Sequence, residues 1–582
     1  MLSPSRVAMA AASLAVVQAA SLADVCTKTY VQSALPADDF YPGITIDATS
    51  VQAAVVTNSS VSSEWYPTGV IEYCNVTFAY SHDGIANDVV HVSYLVPRPE
   101  DFQNRYVSTG GGGLAINSQA QYSPSGILVG AVSGITDGGF GTFSTDWDDV
   151  FLLANNTINW QSTYMFGYQA HHELAILGKQ FSRNFFNVSE ADKVYSYYQG
   201  CSEGGREGWS QVQRFADQFD GAVIGAPAFR YGQQQVNHLV PNVVEKTVGY
   251  YPPTCELEKI MNLTIAACDL LDGKADGVVS RSDLCKLHFN INSTIGKPYY
   301  CAATAASGSS GFGALEARQM PTAATPEQNG TITAKGVAVA STIIDGLHDS
   351  EGRRVYISYQ PGASFADAAT AYDSTTGTWG LSISSLGGEW VARYLLLQDE
   401  SNLSTLDNAT YDTLKDWMGL GMSRYGDSLQ TTHPDLTAFQ SAGGKVIHIH
   451  GEQDNSIPTG SSVHYYESVR SIMYPHLSYN DSTAALDDFY RLYLVPGAAH
   501  CSSNPYQPAG SWPQTTLQTM IEWVENAAAP DTLSRTSELD PICRWPLRPL
   551  WANNGTSFDC VYDQASINTW KYNFDAWKMP LY

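Results

Sequence analysis

Short apolar, β-branched runs recur along the chain, and most of them end at glycines. Arg105–Thr109 stops at Gly110-Gly111-Gly112-Gly113, and Ala222–Ile224 opens onto Gly225-Ala226-Pro227. Ile127–Ser133, Val194–Tyr198, Lys445–His450 and Arg491–Val495 have the same character. Runs of this length and composition predict buried strands. Between them, Tyr168–Phe181 and Glu207–Phe215 carry helical periodicity. Strands alternating with helices predict an α/β protein with a mostly parallel sheet covered on both faces. From Pro227 to about Asp435 the rhythm breaks into a region rich in Gly, Ser, Thr and Asn. It is expected to be an insertion that forms a lid. Within it, Ala302–Ala338 is low in complexity and predicts a long exposed loop.

The 582 residues are too many for one simple core. The fractions of 44% hydrophobic and 15% charged residues are those of a globular protein. The formal net charge of −26 repels phosphate backbones and argues against nucleic-acid binding. Arg6, the apolar run Val7–Val17 and small residues near Ala19 predict a signal peptide over residues 1–20. No later run approaches the roughly 20 apolar residues of a membrane span. Sequons at Asn58, Asn75, Asn155, Asn187, Asn262, Asn292, Asn329, Asn402, Asn408, Asn480 and Asn554 fit a secreted, extracellular glycoprotein. The ten cysteines are expected to pair in that oxidising compartment. Spacing does not fix connectivity. Cys26 with Cys74, Cys268 with Cys285 and Cys543 with Cys560 are proposed as local staples. If Cys201 joins Cys501, Cys255 is left to Cys301.

Gly200-Cys201-Ser202-Glu203-Gly204 follows a predicted strand and opens a predicted helix, the context of a nucleophile elbow. A serine hydrolase of this type needs an acid and then a histidine later in the chain. His450-Gly451-Glu452-Gln453-Asp454 follows one downstream strand and offers Asp454, with Glu452 as the rival acid. His500-Cys501 follows the next. A Cys201–Cys501 bond would hold Ser202 beside His500. His448 and His450 alternate along a strand and read as structural. The oxyanion hole needs two backbone donors. The Glu203 amide is one candidate; Gly113, or alternatively Gly112, supplies the other. Cys268–Val278 interleaves carboxylates with glycines, a pattern suited to Ca²⁺. Asp269, Asp272 and Asp276 would offer side-chain oxygens, and Lys274 and Val278 carbonyls.

Together these residues resemble the tannase/feruloyl esterase family of secreted α/β-hydrolases, with Gly200–Gly208 the most specific string. The resemblance implies an α/β-hydrolase fold with a large lid-domain insertion. Residues 21–227 and 436–582 would form the catalytic domain, and 228–435 the lid. It implies a Ser202-Asp454-His500 triad, a Cys201–Cys501 disulfide and oxyanion donors at Glu203 and Gly113. It also implies structural Ca²⁺ at Asp269, Asp272, Lys274, Asp276 and Val278, with no organic cofactor. The substrate would be a small aromatic ester, with no membrane partner. Within the family the chain is most similar to fungal tannases, which cleave galloyl esters and depsides of tannins to release gallic acid. A feruloyl (hydroxycinnamoyl) esterase is the alternative.

Overall fold

The computed structural model describes residues 20–582 apart from 38, 119–120, 306–323 and 535–540. The expected signal peptide therefore lies, but for Ala20, outside the described residues. A nine-stranded sheet organises the chain. Its strands are β1 (Ile44–Ser63), β2 (Tyr66–His82), β3 (Val90–Pro97), β4 (Arg105–Thr109), β5 (Ala131–Thr136), β6 (Tyr195–Cys201), β7 (Gly221–Gly225), β8 (Lys445–Gly451) and β9 (Tyr490–Val495). Their spatial order is β1-β2-β3-β5-β4-β6-β7-β8-β9. From β5 to β9 all neighbours are parallel, whereas β1, β2, β3 and β5 pair antiparallel.

The parallel strands are buried on both faces, which is why they read as continuous apolar runs. Their alternation sends neighbouring residues to opposite sides. On β8, Ile447 and Ile449 join a core with Met520, Ile521 and Trp523 of helix Thr516–Asn526. His448 faces the other side, against Trp209 of helix Glu203–Arg214. Helix Ala170–Phe185 covers that same side with Leu174, Leu177 and Phe181.

Several expectations need correction. The sheet is mixed, because β1–β3 form a long antiparallel extension. β1 is rich in Ser, Thr and Ala and mostly exposed, so it lacks an apolar run. Ile127 does not lie in a strand: Pro124–Leu128 is a short helix and β5 begins at Ala131. Pro124 in the first turn and the left-handed Gly130 (φ 71°) fix that helix–turn–strand sequence. The low-complexity stretch is not a loop throughout. It contains strand Gln328–Thr331 and the start of helix Ala334–Asp345, capped by Thr333; residues 306–323 fall outside the description.

Between β7 and β8 most of the described regular elements are helices, including Tyr231–Asn237, Thr254–Cys268 and Tyr411–Tyr425. Five disulfides join Cys26–Cys74, Cys201–Cys501, Cys255–Cys301, Cys268–Cys285 and Cys543–Cys560. No described helix is long and apolar enough to cross a membrane.

Candidate active site

The loops after β4, β6, β8 and β9 leave the carboxyl edge of the parallel sheet, where ligands bind in open α/β folds. Ser202 sits between the end of β6 and helix Glu203–Arg214 with φ 63° and ψ −121°. A serine in this region is strained by about 1–3 kcal/mol. The surroundings hold it there: Ser202 N–H donates to Gly225 O at 3.1 Å, and Ser202 O accepts from Ala228 N–H at 3.1 Å. Cys501 also has positive φ, at 59°.

The Cys201–Cys501 bond spans 300 positions, with the two Cα atoms 6.1 Å apart. It makes Ser202 and His500 neighbours of the two half-cystines. Gly225 leaves room for it, since a Cβ there would lie 2.8 Å from Cys201 Sγ and 2.5 Å from the Trp65 ring. Trp65 is itself buried and donates Nε1–H to Cys501 O at 3.0 Å. His500 Nδ1 donates to Asp454 Oδ2 at 2.7 Å. Asp454 is fully buried, and its Oδ1 accepts from Ser456 N–H and Ile457 N–H, both at 2.8 Å. Burial alone would raise its carboxyl, but the His500 charge and the hydrogen bonds from His450 and His500 hold it well below the usual carboxylate range.

Glu452, the rival acid, points elsewhere. Its Oε1 accepts from Ser282 N–H and Oγ–H and from the Arg548 guanidinium, so it ties the β8 loop to the insertion and the C-terminal segment.

The glycine loop after β4 uses most of its amides internally. Gly110 N–H donates to Gln199 O, Gly111 N–H to Glu207 Oε2 and Gly112 N–H to Ala115 O. Gly112, the alternative oxyanion donor, is thereby committed. Among the described residues, Gly113 N–H and Glu203 N–H donate to no protein group. Gly113 has φ 62°, and its carbonyl accepts from Tyr231 Oη–H at 3.1 Å. Gly111 is sterically required, because a Cβ there would lie 1.9 Å from Ala115 O.

Sequence reasoning missed the groups that hold this loop. Glu207 is fully buried; besides Gly111 it contacts Tyr198 Oη at 3.3 Å and His171 Nε2 at 3.0 Å. Buried Arg206 donates to Glu203 Oε1, Gly167 O and Phe166 O. Burial pushes the Glu203 carboxyl up, and the Arg206 guanidinium opposes that shift. The available signal was three charged residues in the first turns of an otherwise buried helix.

The acidic loop is closed by its own hydrogen bonds. Asp269 Oδ1 accepts from Asp276 N–H and Gly277 N–H, Asp272 Oδ1 from Lys274 N–H, and Asp276 Oδ1 from Val278 N–H. Lys274 Nζ lies 3.0 Å from Asp276 Oδ2. No three metal-binding side chains among the described residues converge as they stand. The donor set nonetheless fits a hard cation on one observation: Asp272 Oδ2 is buried without a protein partner. Burial, with Asp276 and Asp269 nearby, pushes that carboxyl to about 6. The loop packs against the β9–His500 segment, since a Cβ on Gly497 would lie 2.8 Å from Val278.

The profile of the tannase and feruloyl esterase family matches residues 74–567. A tannase of Aspergillus oryzae is 51% identical over 591 residues, covering 99% of each chain. The solved tannin acyl hydrolase from Aspergillus niger superposes with a TM-score of 0.92 at 57% identity, covering 97% of this chain and 99% of that one. Feruloyl esterase B from Aspergillus oryzae shares the fold, with a TM-score of 0.65 at 22% identity over 90% of this chain and 97% of its own. With its α/β-hydrolase fold, the chain belongs to the tannase and feruloyl esterase family and is a carboxylic ester hydrolase.

Proposed function

We propose that the protein is a secreted tannase that hydrolyses galloyl ester and depside bonds through Ser202, His500 and Asp454. The observation that carries this reading is the Cys201–Cys501 bond. It links the residue before a strained serine to the residue after a histidine whose Nδ1–H is held by a buried carboxylate. In the first step His500 Nε2 takes the Ser202 hydroxyl proton while Oγ attacks the ester carbonyl. The amides of Glu203 and Gly113 receive the developing oxyanion, each worth about 3–4 kcal/mol. His500 then gives the proton to the leaving alcohol, forming a galloyl-enzyme. Water, deprotonated by His500, attacks that acyl group, and the returning proton releases Ser202 and gallic acid.

Identities of 51% and 57% to a tannase and a tannin acyl hydrolase support the galloyl substrate over a feruloyl one. Residues 228–435 would act as a lid domain that shapes the acyl pocket, on a catalytic domain of 21–227 and 436–582. Bound Ca²⁺, held by Asp269, Asp272, Asp276 and the carbonyls of Lys274 and Val278, would neutralise the acidic loop and stiffen it. Secretion is supported by the N-terminal signal pattern and five disulfides. Among the sequon asparagines, Asn75 and Asn402 are half-buried and the others exposed, which suits a glycoprotein.

Hydrolysis of methyl gallate, protocatechuate, ferulate and caffeate esters tests the substrate. Preference for gallate is expected; preference for ferulate overturns it in favour of the feruloyl esterase. Fluorophosphonate labelling should map to Ser202, and labelling elsewhere would remove the assigned nucleophile.

A further inference from the structure

Asp454 Oδ2 is shared by two imidazoles. The partly exposed His500 approaches it at 2.7 Å, and the fully buried His450 at 3.1 Å from within the core. His450, Asp454, Ser462 and His448 are all fully buried. His450 Nε2 lies between Asp454 Oδ2 and Ile457 O, the latter at 3.0 Å. Both neighbours only accept, so this nitrogen carries its hydrogen. Its Nδ1 is 2.6 Å from Ser462 Oγ. Ser462 Oγ is in turn 2.7 Å from His448 Nε2, and His448 Nδ1 is 2.8 Å from Tyr490 Oη.

Donor counting allows an arrangement in which every hydrogen bond along this chain points toward Asp454. Burial, with His450 alongside, holds His448 far below its ordinary value, so it is uncharged and has one N–H. The Ser462 hydroxyl has one proton. When that proton points to His450 Nδ1, His448 Nε2–H donates to Ser462 and Tyr490 O–H donates to His448 Nδ1. Every donor then points toward Asp454, and His450 is neutral with its N–H on Oδ2. Since Oδ1 is already fixed by Ser456 and Ile457, this bond removes the remaining freedom of the carboxylate plane. Tyr359 also senses Asp454, and its hydroxyl donates to Ser456 O at 3.3 Å.

We propose that His450 is a positioning residue of the hydrolytic centre. Its Nε2–H pins Asp454 Oδ2 so that the carboxylate meets His500 Nδ1–H in one orientation, and Ser462 sets the proton arrangement that makes this possible. The proposal rests on the triad reading given above. The second N–H also draws charge from Oδ2, so it tempers the hold of Asp454 on protonated His500.

The test uses full-length variants with methyl gallate as substrate. His450→Phe keeps the ring and removes the donor. Its kcat should fall about tenfold to a hundredfold, the scale of a misplaced catalytic group. KM should stay within about twofold. The acid limb of the kcat/KM profile should move to higher pH, because Asp454 then holds the His500 proton more strongly. His450→Gln places an amide N–H near the lost one and should restore part of kcat and return the acid limb. A folded Phe variant with wild-type kcat and an unmoved acid limb overturns the proposal. Should the Phe variant fail to fold, Ser462 decides. Ser462→Ala should lower kcat with KM little changed, and Ser462→Thr should restore it. Wild-type kcat in the Ala variant overturns the proposal. Ser202→Ala, run in parallel, separates the two levels. Turnover retained there sinks the triad reading, whereas its loss beside an unaffected His450 variant sinks only the role of His450.

Discussion

Cys201 and Cys501, 300 positions apart in sequence, are bonded, and each is covalently adjacent to one of the two groups assigned to proton transfer. The link runs behind the elbow, where Trp65 and Gly225 make space for it and Trp65 anchors the Cys501 carbonyl. The register of Ser202 and His500 is thus a covalent property as well as a packing one.

Replacing both Cys201 and Cys501 with Ala should therefore reduce activity more than stability alone explains. Loss of a native disulfide commonly costs about 2–5 kcal/mol. Turnover measured below the melting transition should fall by roughly tenfold or more, because small displacements of reacting groups are costly. A wild-type rate in the folded double variant would leave the bond a purely structural feature.

Ser202→Ala should remove turnover of methyl gallate almost entirely. Losses of nucleophile in serine hydrolases reach about a millionfold. The melting temperature should stay at or above that of the wild type, since the strained hydroxyl-bearing residue contributes no packing that Ala lacks. Persistent activity, measured by gallate release, would reassign the nucleophile.

Glu452 and Arg548 form a buried pair beside Asp283 and Ser282. Arg548→Met leaves the Glu452 and Asp283 carboxyls buried with less compensation and should destabilise the protein by about 3–5 kcal/mol. Adding Glu452→Gln to that variant should recover part of the loss in a double-mutant cycle. Equal melting temperatures for the wild type and Arg548→Met would contradict the assignment.

His82 bridges Glu173 at 3.0 Å and Asp88 at 2.7 Å, and the Glu173 hydrogen bond leads the effects that raise it to about 9 from an ordinary 6.5. A raised histidine stabilises the fold fully below its unfolded value, and that stability is lost as pH rises through the folded value. Stability should decline between about pH 6.5 and 9, by roughly 1–2 kcal/mol once solvent screening is discounted. Chemical denaturation across that window checks it, and His82→Gln should flatten the slope.

Calcium should raise the melting temperature, and chelation should lower it, with kcat of the folded enzyme little changed. Asp272→Asn should blunt the calcium response, because it alters the carboxylate whose buried Oδ2 has no protein partner. An immediate, fully reversible loss of turnover on chelation at unchanged melting temperature would place the ion in the chemistry instead.

The strands that carry the site were legible because a parallel strand buried on both faces is largely apolar, as β7 is throughout and as β8 and β9 are apart from Lys445, His448, His450 and Arg491. The elbow string and the His500-Cys501 pair were legible because strained turns demand particular small residues in a fixed local order. β1 was not, since a mostly exposed strand rich in Ser, Thr and Ala has the composition of a loop. The sequence favoured Asp454 but left Glu452, two residues away on the same loop, as a rival. Their roles diverge only because Arg548, from the far end of the chain, captures one of them, while His500 and His450 surround the other. The same holds for Gly112 and Gly113, separated by a bond from Gly112 N–H to Ala115 O. By itself the sequence determined the chemistry available and the strand ends that would present it, because propensity and turn geometry act over a few residues. Which carboxylate meets His500, which loop amide is left without a protein partner and where His450 points were decided by tertiary packing, because hydrogen-bond partners hundreds of residues apart meet only when the sheet is assembled.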